Sequence, residues 1–146
     1  DKEDIIDHEH RLRMLEIACR DTDIIIDTCE IDRRGVSYTI DTIRHLKKKY
    51  HLAEKPGLLI GDDLAVDFES WKDHEKIAQE AQLIIAYREY TKEIDFLYEH
   101  KRINNLMLNI SSSEIRRRVA SGEACKYLLP HGVYEYIKTN NLYGEE

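Results

Sequence analysis

The sequence predicts an α/β fold with a mostly parallel sheet. Segments with helical periodicity alternate with short strand-like segments along the 146 residues. Two of those segments, 58–60 and 83–86, are wholly apolar, which is typical of parallel strands that are covered on both faces. No repeat and no Pro- or Gly-rich linker divides the chain. We therefore expect one domain over residues 1–146.

Helices are predicted wherever apolar residues recur at three- to four-residue spacing between capping signals. Asp7 is a candidate N-cap for the first helix, and Gly122 lies near the C-terminal end of a later one. The predicted helices cover approximately residues 10–19, 39–50, 77–81, 113–120 and 133–137.

Strands are predicted at 24–31, 58–60, 83–86 and 106–110 from short apolar or β-branched runs. Residues 88–103 are ambiguous and could be partly helical. In parallel sheets, ligands bind at the carboxyl ends of the strands. The residues just after each strand are therefore the candidate site residues.

Composition excludes several function classes. The chain has 22 basic and 29 acidic residues and a net charge of −7, which argues against binding along a nucleic-acid backbone. No apolar run reaches the roughly 18 residues that a membrane span needs. The three cysteines form no C-x-x-C pair, which favours a reduced, cytoplasmic location.

The strongest local signal follows the last predicted strand, where Ile110 is succeeded by Ser111, Ser112 and Ser113. The free N–H groups of a helix start attract anions, and phosphate above all. Arg116 lies about one turn further and can reach the same anion with its planar guanidinium. The alternative is a plain serine N-cap with arginines on a solvated face.

Three further positions follow strands or open helices. Gly61 allows close approach of a ligand to the backbone, and Asp62 can accept hydrogen bonds from ribose hydroxyls. Trp71 is either a core-edge residue or a stacking platform for a planar ligand. The alternative for Gly61 and Asp62 is an ordinary acidic loop.

Two more positions could bind an anionic group. Tyr38 and Thr39 open a helix whose free N–H groups suit a carboxylate or phosphate, unless they are simply capped. Arg88 follows the strand at 83–86 and could face the same crevice. The alternative for Arg88 is a surface arginine.

Taken in order, these segments resemble the bacterial nicotinate mononucleotide adenylyltransferases. The resemblance covers nearly the whole chain and is most specific at its Ser-Tyr-Thr and Trp segments. The matching segments are His10-Arg11-Leu12-Arg13-Met14-Leu15, Ser37-Tyr38-Thr39 with Thr42 and Leu46, Leu59-Ile60-Gly61-Asp62-Asp63-Leu64 with Phe68 and Trp71, Ile110-Ser111-Ser112-Ser113 with Ile115 and Arg116, and Leu128-Leu129-Pro130 with Val133, Tyr136 and Ile137.

The resemblance implies a Rossmann-like nucleotidylyltransferase fold and adenylyl transfer from ATP, with Mg²⁺, to nicotinate mononucleotide. The products are deamido-NAD and pyrophosphate. It leaves a homo-oligomer open and predicts neither a nucleic-acid partner nor a membrane.

It also implies a role for each candidate residue. Ser111, Ser112, Ser113 and Arg116 hold the ATP phosphates, with Ser112 and Arg116 acting in catalysis, and the backbone at Ile110 lies near the adenine. On the acceptor side, the residues are Gly61 and Asp62 at the ribose, Trp71 on the pyridine ring, and Tyr38, Thr39 and Arg88 at the nicotinate carboxylate.

The sequence departs from the family at its N-terminus, where the family's His-x-Gly-His segment has no counterpart. We therefore expect roughly 40–60 further N-terminal residues in the native protein and severely reduced turnover from this chain alone. Two alternatives stay open. One is a non-catalytic nucleotide-binding domain of this fold, and the other is an adenylyltransferase with another acceptor, such as phosphopantetheine or nicotinamide mononucleotide.

Overall fold

The computed structural model describes residues 6–87, 95–106, 108 and 110–144. They form two compact units. The terminal unit comprises the chain up to Asp27 and from Ile110 onward, and the central unit comprises Thr28–Asn109. Each unit has a hydrophobic core of its own. The single domain expected from the length stays a prediction.

Helices precede and follow the strands along the described chain. Their order is α1 (His8–Ala18), α2 (Cys29–Arg33), α3 (Thr39–Lys49), β1 (Gly57–Gly61), α4 (Asp62–Ala65), α5 (His74–Glu80), β2 (Gln82–Ala86), β3 (His100–Ile103), α6 (Ser112–Ala120) and α7 (Val133–Thr139). Short 3-10 turns lie at Phe68–Ser70 and Lys126–Leu128.

The sheet of the central unit is parallel throughout, in the order β1-β2-β3. Gly61 at the end of β1 pairs with Ala86 at the end of β2, and Ala86 pairs with Ile103 at the end of β3. The three strands therefore end level with one another, and the segments that follow them start at one edge. This confirms the predicted parallel α/β fold.

The core of the central unit is centred on Phe68, which is fully buried beside the apolar faces of the sheet and helices. Its ring contacts Trp71, Phe96 and Tyr98, with centroid distances of 5.4, 5.3 and 5.3 Å. Full burial of an aromatic side chain contributes roughly 1.5–3 kcal/mol. This cluster therefore anchors the segment that carries Trp71.

The terminal unit packs helices α1 and α7 together with α6 around a second core, formed by Ile115, Val119, Cys125, Val133, Ile137 and Leu142. Asp7 caps α1 as expected, because its carboxylate accepts from the Glu9 N–H at 3.0 Å. Gly122 follows α6 at φ +69, a left-handed conformation that suits glycine. Both capping predictions are confirmed.

The strand predicted at 24–31 is wrong. Residues 24–28 are irregular, and helix α2 begins at Cys29. Ile24 and Ile25 are largely exposed. β-branched residues favour a strand only where a neighbouring strand pairs with them. Among the described residues, no ladder reaches this run.

The strand predicted at 106–110 is also wrong for the residues that are described. Leu106, Leu108 and Ile110 lie outside any strand and are exposed, while residues 107 and 109 are not among those described. The third strand instead occupies His100–Ile103, inside the ambiguous segment. Its pairing with β2 is made by backbone hydrogen bonds, so it needs no apolar run.

No helix in the described part of the chain is long and apolar enough to cross a membrane.

Candidate active site

Asp62 follows β1 directly and opens helix α4. It is 6% exposed, and no other charged or polar residue is classed as buried in the part of the chain that the structure describes. Its Oδ1 accepts from the Asp63 N–H at 3.0 Å. The structure therefore places a buried carboxylate at the carboxyl edge of the sheet, and the ribose contact of Asp62 stays a prediction.

The end of β2 is held by a side chain from beyond β3. The Asn105 amide donates from Nδ2 to the Tyr87 carbonyl at 2.8 Å and accepts at Oδ1 from the Tyr87 N–H at 3.0 Å. The Arg102 guanidinium lies 5.3 Å from the centre of the Tyr87 ring. Arg88, the predicted neighbour of this crevice, lies outside the described residues.

An open pocket of about 250 Å³ lies at the start of helix α3. It brings together three candidate residues, the neighbours Tyr38 and Thr39 and, 32 positions after Thr39, Trp71. Gly61 and Asp62 are not part of its wall. The remaining lining residues are Ser37, Ser70, Lys72 and Ile77.

The backbone at this pocket is the N-terminus of α3. Tyr38 is the N-cap residue, and no side chain among the described residues caps the helix there. The Tyr38 carbonyl accepts from the Asp41 and Thr42 N–H groups. The first-turn N–H groups of a helix with no capping side chain can donate to an anion and carry partial positive charge. The start of α3 is thus suited to a carboxylate.

Trp71 supplies the aromatic part of the pocket wall. It is half-buried, and its N–H donates to the Phe68 carbonyl at 3.0 Å. Its ring also packs at a tilt of 47° against Phe68. The two interpretations of Trp71 are therefore compatible, since one residue contacts the core and lines the pocket.

Sequence reasoning missed Lys72. Its Nζ lies 4.0 Å from the centre of the Tyr38 ring and 3.7 Å from Asp41 Oδ2. The contacts join residues that are more than thirty positions apart, so spacing could not reveal them. The only available signal was its position directly after Trp71.

The second group of candidate residues opens helix α6 in the terminal unit. Ser111 is the N-cap, and its Oγ accepts from the Glu114 N–H at 3.1 Å. Ile110, which precedes it, is 39% exposed, and Ser112 and Ser113 are exposed as well. The plain capping interpretation is thus correct for Ser111, while two further hydroxyls remain accessible at the helix start.

The three arginines of α6 differ in their partners. Arg117 pairs with Glu114 and Glu123, and Arg118 pairs with Glu114 at 2.6 Å. Hydrogen bonds from these two guanidinium groups lower the pKa of Glu114 to about 2. The carboxylates therefore neutralise much of the charge that these two arginines carry.

Arg116 donates instead to the Ser113 Oγ at 3.3 Å. Across the described residues it forms no ion pair with a carboxylate. Its charge therefore stays available to an external anion near the hydroxyls of Ser112 and Ser113.

The candidate residues thus form separate groups within their units. Ser111, Ser112, Ser113 and Arg116 lie together in the terminal unit. In the central unit, Tyr38, Thr39 and Trp71 share the pocket, while Gly61 ends β1 and Asp62 opens α4 directly after it. The roles of all these residues stay predictions.

Comparison with known proteins gives the family. The cytidylyltransferase-like family model matches residues 1–118, which include parts of both units. A relative from Borreliella afzelii, described as a probable nicotinate-nucleotide adenylyltransferase, is 46% identical over 136 residues, covering 92% of this chain and 70% of the relative. A relative from Borreliella burgdorferi with the same description is 45% identical over 135 residues, with 92% and 69% covered.

Solved structures agree on the fold. The chain is similar to the Plasmodium falciparum nicotinic acid mononucleotide adenylyltransferase complexed with APC, with a TM-score of 0.74 and 24% identity over 95% of this chain and 77% of that one. The predicted nucleotidylyltransferase fold is thereby confirmed. With its relatives above 40% identity, this chain belongs to the cytidylyltransferase-like family and, within it, to the nicotinate-nucleotide adenylyltransferases, enzymes of adenylyl transfer in NAD biosynthesis.

Proposed function

We propose that the protein, in its native form, transfers the adenylyl group of Mg²⁺-bound ATP to nicotinate mononucleotide, giving deamido-NAD and pyrophosphate. The names of its relatives support this activity. The observation that carries the choice of acceptor is the pocket in which the Trp71 ring and the start of helix α3 occur together.

A pyridine ring with an attached carboxylate matches both parts of this pocket. Trp71 offers an aromatic face for the planar ring, and the start of α3 offers backbone N–H donors to the carboxylate. The buried Asp62 at the end of β1 supports binding of a ribose, because an acidic side chain there accepts hydrogen bonds from sugar hydroxyls.

The start of helix α6 supports binding of the ATP phosphates. Ser112 and Ser113 offer hydroxyl donors, and Arg116 offers a guanidinium that no carboxylate neutralises among the described residues. These groups are donors to anions. They therefore fit the phosphate oxygens, while Mg²⁺ would arrive with ATP as part of the substrate.

Adenylyl transfer needs positioning and charge stabilisation more than a covalent intermediate. A phosphate oxygen of the mononucleotide attacks the α-phosphorus of ATP, and the bond from that phosphorus to the pyrophosphate oxygen breaks. Trp71 and α3 would orient the acceptor, and Arg116 with Ser112 would stabilise the charge on the phosphates as pyrophosphate leaves.

We also propose that both units belong to one nucleotidylyltransferase domain, as the family match across both of them supports. A cytoplasmic location and a homo-oligomer stay proposals. Gel filtration with light scattering of the native protein would test the oligomer.

The activity is tested with the native protein, Mg²⁺, ATP and one acceptor at a time. We expect deamido-NAD and pyrophosphate in equal amounts from nicotinate mononucleotide. Turnover of nicotinamide mononucleotide or phosphopantetheine, with none of nicotinate mononucleotide, would overturn the proposed acceptor. Binding of both nucleotides without product would instead indicate a non-catalytic domain of this fold.

A further inference from the structure

We propose that Lys72 is a specificity-determining residue, whose ammonium group makes the pocket at α3 favour a pyridine ring with an anionic substituent over the same ring with an amide. The inference rests on the proposed function, because it concerns the acceptor of that reaction.

The ammonium group of Lys72 lies against the residue that caps the start of α3. Lys72 Nζ lies 4.0 Å from the centre of the Tyr38 ring, and Tyr38 is the N-cap of α3. A cation at this distance from an aromatic ring is attracted by the ring's electron-rich face. Lys72 lines the same pocket as Trp71, so a full positive charge lies beside the surface proposed for the pyridine ring.

Asp41 places a negative charge near the same ammonium group. Its carboxylate lies in the first turn of α3, where it opposes the approach of another anion. Lys72 Nζ is 3.7 Å from Asp41 Oδ2, and the two side chains are 47% and 42% exposed. A pair this long and exposed is weak. The ammonium group can therefore turn towards an incoming carboxylate at little cost.

Together these contacts give Lys72 two effects on the acceptor. It offsets the repulsion from Asp41, and it adds an attractive charge next to the N–H donors of α3. Nicotinate and nicotinamide mononucleotide share their ring, ribose and phosphate and differ in one substituent. The ratio of their affinities therefore isolates the effect of Lys72 on that substituent.

The test compares Lys72→Met with wild type, using the native protein and both mononucleotides. Methionine keeps an unbranched side chain against Tyr38 and removes the charge. We expect the KM and the calorimetric Kd for nicotinate mononucleotide to rise about five- to tenfold with kcat little changed. For nicotinamide mononucleotide the change should stay below about twofold.

Lys72→Arg should restore most of the preference, because it keeps the positive charge. Lys76→Met is the matched control. Lys76 is 55% exposed, pairs with Asp73 at 2.8 Å and does not line the pocket, so its removal should leave the ratio unchanged.

The Asp41→Asn background separates the two effects. If the ammonium group itself attracts the substrate, Lys72→Met must still lower the preference there. An effect that disappears in this background would overturn the direct attraction proposed for the ammonium group, because Lys72 would then only neutralise Asp41. In wild type, added salt should lower the preference for nicotinate mononucleotide, since screening weakens exposed charge interactions.

Failure of this inference is distinct from failure of the proposed function. Wild-type protein that neither binds nor uses nicotinate mononucleotide contradicts the proposed function. Wild-type protein that uses it, with the same ratio in Lys72→Met, contradicts only the role of Lys72. The salt dependence needs no variant, and a wild-type preference that does not fall with added salt contradicts the role of Lys72 even if a substitution impairs folding.

Discussion

Asn105 holds both backbone polar groups of Tyr87, accepting from its N–H at 3.0 Å and donating to its carbonyl at 2.8 Å. The amide thus makes the two hydrogen bonds that a neighbouring strand would otherwise make, directly after β2 ends at Ala86. It fixes the backbone at Tyr87, directly after the end of β2.

Asn105→Ala should destabilise the protein by about 1–3 kcal/mol, because it leaves two half-buried backbone groups without their partner. The free energy of unfolding in urea measures this loss. Asn104→Ala is the matched control, since Asn104 is the exposed neighbour, and it should change stability by less than about 0.5 kcal/mol. Equal losses in the two variants would contradict the role given to Asn105.

The ion pairs of Glu114 predict a pH dependence of stability. Arg117 and Arg118 lower its pKa from 4.5 to about 2 in the folded protein. A carboxylate with a lowered folded pKa stabilises the protein above its unfolded pKa, and that stabilisation is lost as the pH falls towards the folded value. The stability difference between wild type and Glu114→Gln should therefore shrink between about pH 4.5 and pH 2.

Urea unfolding of both proteins across this pH range measures the difference. A difference that stays constant over the whole range would show that the ion pairs do not act through the charge of Glu114.

The unequal pairing of the α6 arginines predicts unequal effects on catalysis. Arg116→Ala should lower kcat/KM for ATP by about 10- to 100-fold, the range expected when a charged hydrogen-bond donor to phosphate is lost. Arg117→Ala should change it by less than about threefold, because Arg117 is engaged with Glu114 and Glu123. Steady-state kinetics with saturating acceptor gives both values.

Thermal unfolding of the two variants serves as the control for folding. The assignment would be wrong if Arg117→Ala impaired kcat/KM as strongly as Arg116→Ala while both proteins stayed folded.

Trp71 allows binding at the pocket to be observed directly, because it is the only tryptophan in the sequence. Nicotinate mononucleotide should change its fluorescence in a saturable way. Trp71→Ala should weaken binding by about 1–3 kcal/mol through lost stacking, whereas Trp71→Phe should retain part of it. Calorimetry measures the affinity of both variants, and unchanged affinity in Trp71→Ala would place the ring elsewhere.

Much of the fold follows from local pattern. Helix α3 and the strands β1 and β2 lie within one residue of their predicted ends, because the burial that shapes them leaves a periodic trace in the sequence. Strand β3 leaves no such periodic trace in the sequence. Its residues His100–Ile103 are mostly exposed, and pairing with β2 alone makes them a strand.

The strand predicted at 24–31 is absent for the opposite reason. Its isoleucines have high strand propensity, but propensity cannot supply a pairing partner. Within the candidate site, the serine helix start and the Trp71 segment were visible as local motifs. The contact between Lys72 and Tyr38 was not, because it depends on how two distant segments pack.

Because β1, β2 and β3 end at the same level, relatives can diverge in the segments that follow the strands. The backbone ladder that holds the sheet stops at Gly61, Ala86 and Ile103, so the segments beyond it can lengthen or change without shifting the register. Evolution can therefore alter recognition while the framework stays constant. Among relatives, differences in acceptor should be sought in the segments that follow the strands, and sheet sequences that agree closely carry little information about substrate.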